Sequence, residues 1–256
     1  MEDGQIVFKS VLIAEDSAIN QIFMQRSLGK ICGRIDIAEN GAQAVEFARA
    51  NKYDIILMDI FMPEMDGYEA TKVIREQLGV KTPIVAVTSV SLPGEEEKCM
   101  EAGMNGYIVK PFTPEVVKKL VSEKGSLQTE EDPEQPNTYH HNGLTINLNI
   151  LFQLGDDTNE HIISMIQLFT DNMAVTVEKM IRLAGEQDWA HLQKTAHYAK
   201  SSLSVINVVE LFELAKEIDF DCRGLKEIEL IPAKVERFEK MFFDARDFLD
   251  DYITKI

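Results

Sequence analysis

The apolar positions follow two rhythms, and the change falls near residue 125. Before it, short apolar runs recur at residues 11–14, 35–38, 55–58, 84–87 and 107–109, all unbroken except the second, which Asp36 interrupts. Runs of this length, rich in Val and Ile and bounded by polar residues, predict buried strands. The segments between them carry apolar residues at helical spacing: Ile19, Ile22, Phe23 and Leu28, then Ala44, Val45, Phe47 and Ala48, then Tyr68, Ala70, Val73 and Ile74. Ser17 and the Asn40-Gly41 turn are placed to start the first two of these helices. A short acidic helix over 93–102 and a last helix over 113–124 complete the set. Five strands alternating with five helices imply a parallel sheet covered on both faces.

After residue 148 the pattern is helical spacing only. Ile162, Met165, Ile166, Phe169, Met173, Val177, Met180 and Ala184 form one stripe, its methionines core filler. Trp189, Leu192, Ala196, Ala199, Leu203 and Ile206 form a second. Val208, Phe212, Ala215 and Ile218 run into a third helix, and Val235, Phe238, Phe242, Ala245, Leu249 and Tyr252 make a fourth. Stripes of this kind with polar opposite faces describe an antiparallel bundle. Between the two patterns, residues 125–145 (GSLQTEEDPEQPNTYHHNGLT) are polar, acidic and interrupted by two prolines, which reads as a partly extended linker. His140-His141 has no cysteine or carboxylate support nearby and reads as exposed surface rather than a metal pair.

Composition narrows the classes. The 256 residues suffice for two domains with separate cores, and hydrophobic residues make up 45%. The net charge of -17 argues against nucleic acid or an anionic membrane as the main partner, because both select basic surfaces. Three scattered cysteines suit a reducing, cytoplasmic setting and suggest neither a disulfide framework nor a zinc site. No apolar run approaches the ~20 residues that span a bilayer, and the acidic N-terminus does not read as a signal peptide.

The candidate chemistry lies where the strands stop. Glu15 and Asp16 follow the first strand, Asp59 the third, Thr88 the fourth and Lys110 the fifth. The carboxyl ends of parallel strands share one edge, so these five side chains can converge in one crevice. Three crowded carboxylates repel one another unless a cation joins them. Oxygen ligands with partial coordination favour Mg²⁺. Such an ion and Lys110 would neutralise charge on a transferring phosphoryl group, and Thr88 would hydrogen-bond one of its oxygens. Asp59 would attack phosphorus and become an acyl phosphate.

Residues 8–124 resemble a response-regulator receiver domain, with Glu15-Asp16 as the acidic pair, Asp59 as the phosphoacceptor, Thr88 as the switch hydroxyl and Lys110-Pro111 as the basic residue and its proline. The resemblance implies a flavodoxin-like, doubly wound α/β fold and a Mg²⁺ ion held by Glu15, Asp16, Asp59 and the backbone carbonyl of Phe61. It also implies Tyr107 as the switch aromatic and a cis Lys110-Pro111 bond. Phosphatases of the haloacid-dehalogenase type carry a second Asp two residues past the nucleophile, where this chain has Phe61.

His197 lies off the second stripe and shares a helix face with Gln193, Lys200, Ser201 and Ser204, so it is expected to be exposed with its ring reachable. A neutral imidazole there can accept phosphoryl from an acyl phosphate, with Lys200 offsetting its charge. The stretch AHYAKSSL, residues 196–203, resembles the signature of histidine phosphotransfer domains, which are four-helix bundles with one phosphorylatable histidine. Ala199 and Ser201 depart from the Leu and Gly common in that family. The organisation expected is therefore a receiver at 8–124, a linker at 125–145 and an all-α phosphotransfer bundle at 146–256. The partners implied are an upstream histidine kinase or other phosphohistidine donor and a downstream receiver. Nothing resembles an ATP-binding kinase domain, so the chain relays phosphoryl without drawing on ATP, as a free-standing protein or as the C-terminal part of a hybrid kinase. The alternative is a phosphorylation-switched docking module in which His197 is idle and the face near 93–102 responds to Asp59.

Overall fold

The computed structural model describes residues 6–89, 95–110, 112–123, 137–154, 159–225 and 227–256. The chain divides between residues 131 and 132 into two units. In the first, β1 (Phe8–Ala14), β2 (Cys32–Ala38), β3 (Ile55–Asp59), β4 (Ile84–Thr88) and β5 (Gly106–Val109) form one five-stranded sheet. Its order is β2-β1-β3-β4-β5 and every pair is parallel. The strands are joined through α1 (Ala18–Gly29), α2 (Gly41–Ala50), α3 (Gly67–Lys72) and α4 (Glu95–Ala102), and α5 (Pro114–Glu123) follows β5. This is the flavodoxin-like, doubly wound order. Every residue of β3 and β4 is buried, as covered parallel strands require, which is why the sequence shows them as unbroken apolar runs. The expected start of the fourth helix at Pro93 and the expected cis bond to Pro111 lie outside the described residues.

The chain order reverses between β1 and β3, and the crevice at their carboxyl ends is the topological switch point where such folds bind ligands. The return from β3 is tight. The Gly67 N–H donates to the Ile60 carbonyl at 2.8 Å, and the Asp66 side chain caps α3 by accepting from the Glu69 N–H. A Cβ on Gly67 would stand 2.2 Å from the Asp59 carbonyl oxygen. Glycine at this position is what lets α3 begin against the end of β3.

The second unit opens with a hairpin rather than a helix. β6 (Thr138–His141) and β7 (Leu144–Asn147) pair antiparallel, and β8 (Asn207–Val208) adds to β7. Asn142 and Gly143 take φ of 48° and 78°, the left-handed pair that a two-residue hairpin turn demands. The linker expected over 125–145 is thus corrected at its C-terminal end, where residues 138–145 are ordered strand and turn, and the second half is not purely helical. After α6 (Asn149–Leu154) come α7 (Asn159–Gly185), α8 (Trp189–Ser202), α9 (Val209–Gly224) and α10 (Ile231–Ile253). α7 and α9 each pack on both α8 and α10. The expected stripe of α7 is buried along its whole length, and Phe169, Phe238 and Phe242 are among the largest fully buried side chains. Trp189 and Tyr252, expected at the start of the second stripe and the end of the fourth, are only half-buried. Among the described residues, no helix is long and apolar enough to cross a membrane.

Replacing Gly67 with Ala should push α3 off the end of β3. The expected cost is about 1–3 kcal/mol, as for other overpacked sites, read as a lower urea midpoint for the first unit.

Candidate functional site

The crevice at the switch point gathers the charged residues expected there. Glu15 follows β1 and is fully buried; its Oε1 accepts from the Ser17 N–H at 3.2 Å and from Asn20 Nδ2 at 3.0 Å. Asp59 closes β3, is 3% exposed, and accepts at Oδ1 from the Phe61 N–H at 3.1 Å. Lys110 follows β5 and is equally buried. Its Nζ donates to Glu15 Oε2 at 2.5 Å and to Asp59 Oδ2 at 2.6 Å, so one ammonium bridges the ends of β1 and β3. The Lys110 N–H in turn donates to the Thr88 carbonyl at 2.7 Å. Thr88 itself is buried at the end of β4, one residue past the Val87 that pairs with Asp59. Tyr107, also buried, pairs with Ala86 across β4 and β5.

Ligand atoms of Glu15, Asp16 and Asp59 lie within 4.8 Å of one another, and this is the group of such residues found among the described positions. Burial pushes the Asp16 carboxyl up to about 7, with Asp59 adding to the rise and Lys110 opposing it. Burial also raises Glu15 against the pull of Lys110, helped by Asp59 and Asp16. Burial disfavours the Lys110 cation, but Asp59 and Glu15 outweigh it and hold its proton more firmly than in an ordinary lysine. One ammonium does not neutralise three carboxyl groups. The shortfall and the all-oxygen donor set fit a hard divalent cation such as Mg²⁺.

The second candidate site corrects an expectation. His197 is 7% exposed, not open to solvent, because α9 covers the α8 face on which it lies. Lys200, Ser201 and Ser204 on the same face are buried too. The cover is Asp219 of α9, a residue the sequence reading passed over. Its Oδ2 lies 3.3 Å from His197 Nδ1 and accepts from Lys200 Nζ at 2.9 Å. Its Oδ1 accepts from Gln193 Nε2 at 2.5 Å and from Arg223 Nη2 at 3.2 Å. Burial works to raise the Asp219 carboxyl. The hydrogen bond from His197, the charge of Lys200 and the hydrogen bond from Gln193 outweigh it and hold Asp219 well below the usual carboxylate range. The one available signal was a carboxylate in the buried phase of α9, which runs Leu211, Ala215, Asp219 and Cys222. His140 and His141 belong to neither site: His140 contacts the Thr145 hydroxyl, and the His141 ring lies against Phe248.

The comparisons with known proteins concern mainly the first unit. Residues 11–122 match the family described as response regulator receiver domain. The chain is 39% identical over 114 residues to two-component response regulator 24 of Arabidopsis thaliana, covering 44% of this chain and 79% of that protein. It is 37% identical over 152 residues to hybrid signal transduction histidine kinase I of Dictyostelium discoideum, covering 56% of this chain and 9% of the relative. Signal transduction histidine-protein kinase BarA of Escherichia coli is 27% identical over 245 residues, or 93% of this chain and 27% of the kinase. The chain thus spans about a tenth to a quarter of the length of the kinases it matches.

Removing the bridging ammonium should expose the charge imbalance. Lys110→Ala is expected to destabilise the metal-free first unit by roughly 3–5 kcal/mol, the cost of stranding a buried ionic partner. Added Mg²⁺ should recover more stability in the variant than in the parent, measured by thermal unfolding in chelator and in excess salt.

Proposed function

The chain belongs to the response regulator receiver domain family through residues 11–122, and on that footing we propose that it is a phosphorelay protein with two carriers, Asp59 and His197. The observation that carries the reading is the Asp59 carboxylate at the switch-point crevice, in contact with Lys110 and beside Glu15 and Asp16. A carboxylate oxygen of Asp59 attacks the phosphorus of a donor phosphohistidine. The O–P bond forms, the N–P bond breaks, and the imidazole leaves with the electron pair. Lys110 would offset the charge that gathers on the phosphoryl oxygens, and the Thr88 hydroxyl at the end of β4 would hydrogen-bond one of them. Glu15, Asp16, Asp59 and the Phe61 carbonyl would hold Mg²⁺, which supplies the remaining positive charge. Tyr107 is the aromatic on β5 whose setting would follow that of Thr88.

The helical unit is proposed as a four-helix phosphotransfer bundle, with α7 to α10 as the four helices. Its support is the AHYAKSSL stretch, the mutual packing of α7, α8, α9 and α10, and a similarity to BarA that runs through this unit. The His197 ring sets a condition on transfer, because its side chain is only 9% exposed and an incoming aspartate has little of it to reach. The same burial favours a second reading, a docking module switched by phosphorylation of Asp59, in which His197 is a core residue tied to Asp219.

Labelling separates the two. With a phosphohistidine donor and Mg²⁺, Asp59→Asn should abolish the acyl-phosphate label on the first unit; full labelling of that variant at the same site would refute the assignment. On the relay reading the parent also acquires an acid-labile, base-stable label on the second unit, and His197→Gln removes it. Absence of that label under every donor supports the docking module.

A further inference from the structure

The relay reading leaves open what the carboxylate beside His197 does. Asp219 is anionic and can only accept, so the proton facing it sits on Nδ1 and the lone pair of the neutral ring belongs to Nε2. Its Oδ2 is shared: His197 Nδ1 and Lys200 Nζ approach the same oxygen. We propose that Asp219 is a positioning residue for His197 and that Lys200 is its exchangeable counter-ion, passing to the phosphoryl group on transfer and leaving Asp219 to hold the ring proton.

The chemistry balances without a further reactant. Nε2 attacks the phosphorus of an aspartyl phosphate, the N–P bond forms, and the P–O bond breaks with its electron pair going to the aspartate. The ring now bears Nδ1–H and Nε2–P and carries a positive charge. Lys200, 2.9 Å from Asp219 and three residues from His197, is the cation available to the new phosphoryl oxygens. As Lys200 turns to them, the Asp219 charge is less neutralised and acts more strongly on the Nδ1 proton. The retained proton decides the next step. With it, the leaving group in onward transfer is neutral imidazole; without it, the leaving group is imidazolate, which departs far more slowly. Asp219 thus makes the phosphorylated ring ready to give up its load rather than store it.

The charged surroundings of the ring support this. From α9 it faces Asp219, with Arg223 holding the far oxygen; from its own helix it has Lys200. α7, which also packs on α8, buries no carboxylate, lysine or arginine, and His161 is its one buried titratable group.

The proposal rests on transfer through His197, and the test separates the two. The full chain carrying Asp59→Asn, so that label does not drain to the first unit, is treated with phosphoramidate. Label position and the pH profile of its loss are then followed by ³¹P NMR. The ring tautomer before labelling is read by ¹⁵N NMR. Expected results are an Nδ1–H tautomer, label on Nε2, and a profile that shifts in opposite directions in two variants. Asp219→Asn should lose label about tenfold more slowly at pH 8, as the ring gives up its proton at lower pH. Lys200→Gln should move the midpoint to higher pH. Asp219→Glu keeps the charge and should restore the parental profile, and with Lys200→Gln it carries the test if Asp219→Asn does not fold. A resting Nε2–H tautomer, or label on His197 with unchanged profiles in folded variants, overturns the proposal and leaves the relay standing. Failure of His197 to take label with the expected tautomer present overturns the relay reading itself.

Discussion

A single ammonium touching two buried carboxylates holds the first unit's chemistry in place. Lys110 arrives from β5, Glu15 from β1 and Asp59 from β3, and none is near another in sequence. The contact exists because parallel pairing brings all three strands to one edge, and because the order β2-β1-β3-β4-β5 puts β1 beside β3. Buried in this way, the ammonium is fixed by its partners as firmly as they are by it, since losing any one strands the others in a medium that does not solvate them. The arrangement remains short of positive charge, and that shortage is what a hard divalent cation would make good.

The cluster in the helical unit has the opposite balance. There one carboxylate, Asp219, meets Gln193, Lys200, Arg223 and the Nδ1 of His197. Three acids around one lysine create a demand for cations. One acid ringed by four donors has its demand met and stays ionised in a buried setting. On the proposed reading, the first cluster serves a carboxylate that attacks phosphorus. On the same reading, the second serves an imidazole whose ring proton Asp219 holds and whose lysine can pass from Asp219 to a phosphoryl group.

Two features were legible in the residues but lost in their context, and a third was not legible. Asn142-Gly143 is a strong hairpin signal, yet it sits in a polar stretch whose short strands offer little alternation, so it reads as linker. Asp219 stands in the buried phase of α9, but a carboxylate there gains meaning only once α8 supplies its donors. The π-helical turn at Val73–Gln77 has no local signature at all; Arg75 ties it to carbonyls of Val80, Thr82 and Gly103, contacts that form only in the folded chain.

The sequence by itself determined the two rhythms, hence a parallel α/β unit followed by a mainly helical one, and it marked Glu15, Asp16, Asp59, Thr88 and Lys110 as strand-end residues. These are consequences of local periodicity and of burial on both faces of a strand, which are written one segment at a time. Tertiary structure decided what those residues touch: that Lys110 bridges Glu15 and Asp59, that Gly67 must be glycine, and that His197 lies under α9 against Asp219 instead of facing water. Helical spacing reports which residues share a face. It does not report which other helix covers that face, because that depends on packing between segments far apart in the chain.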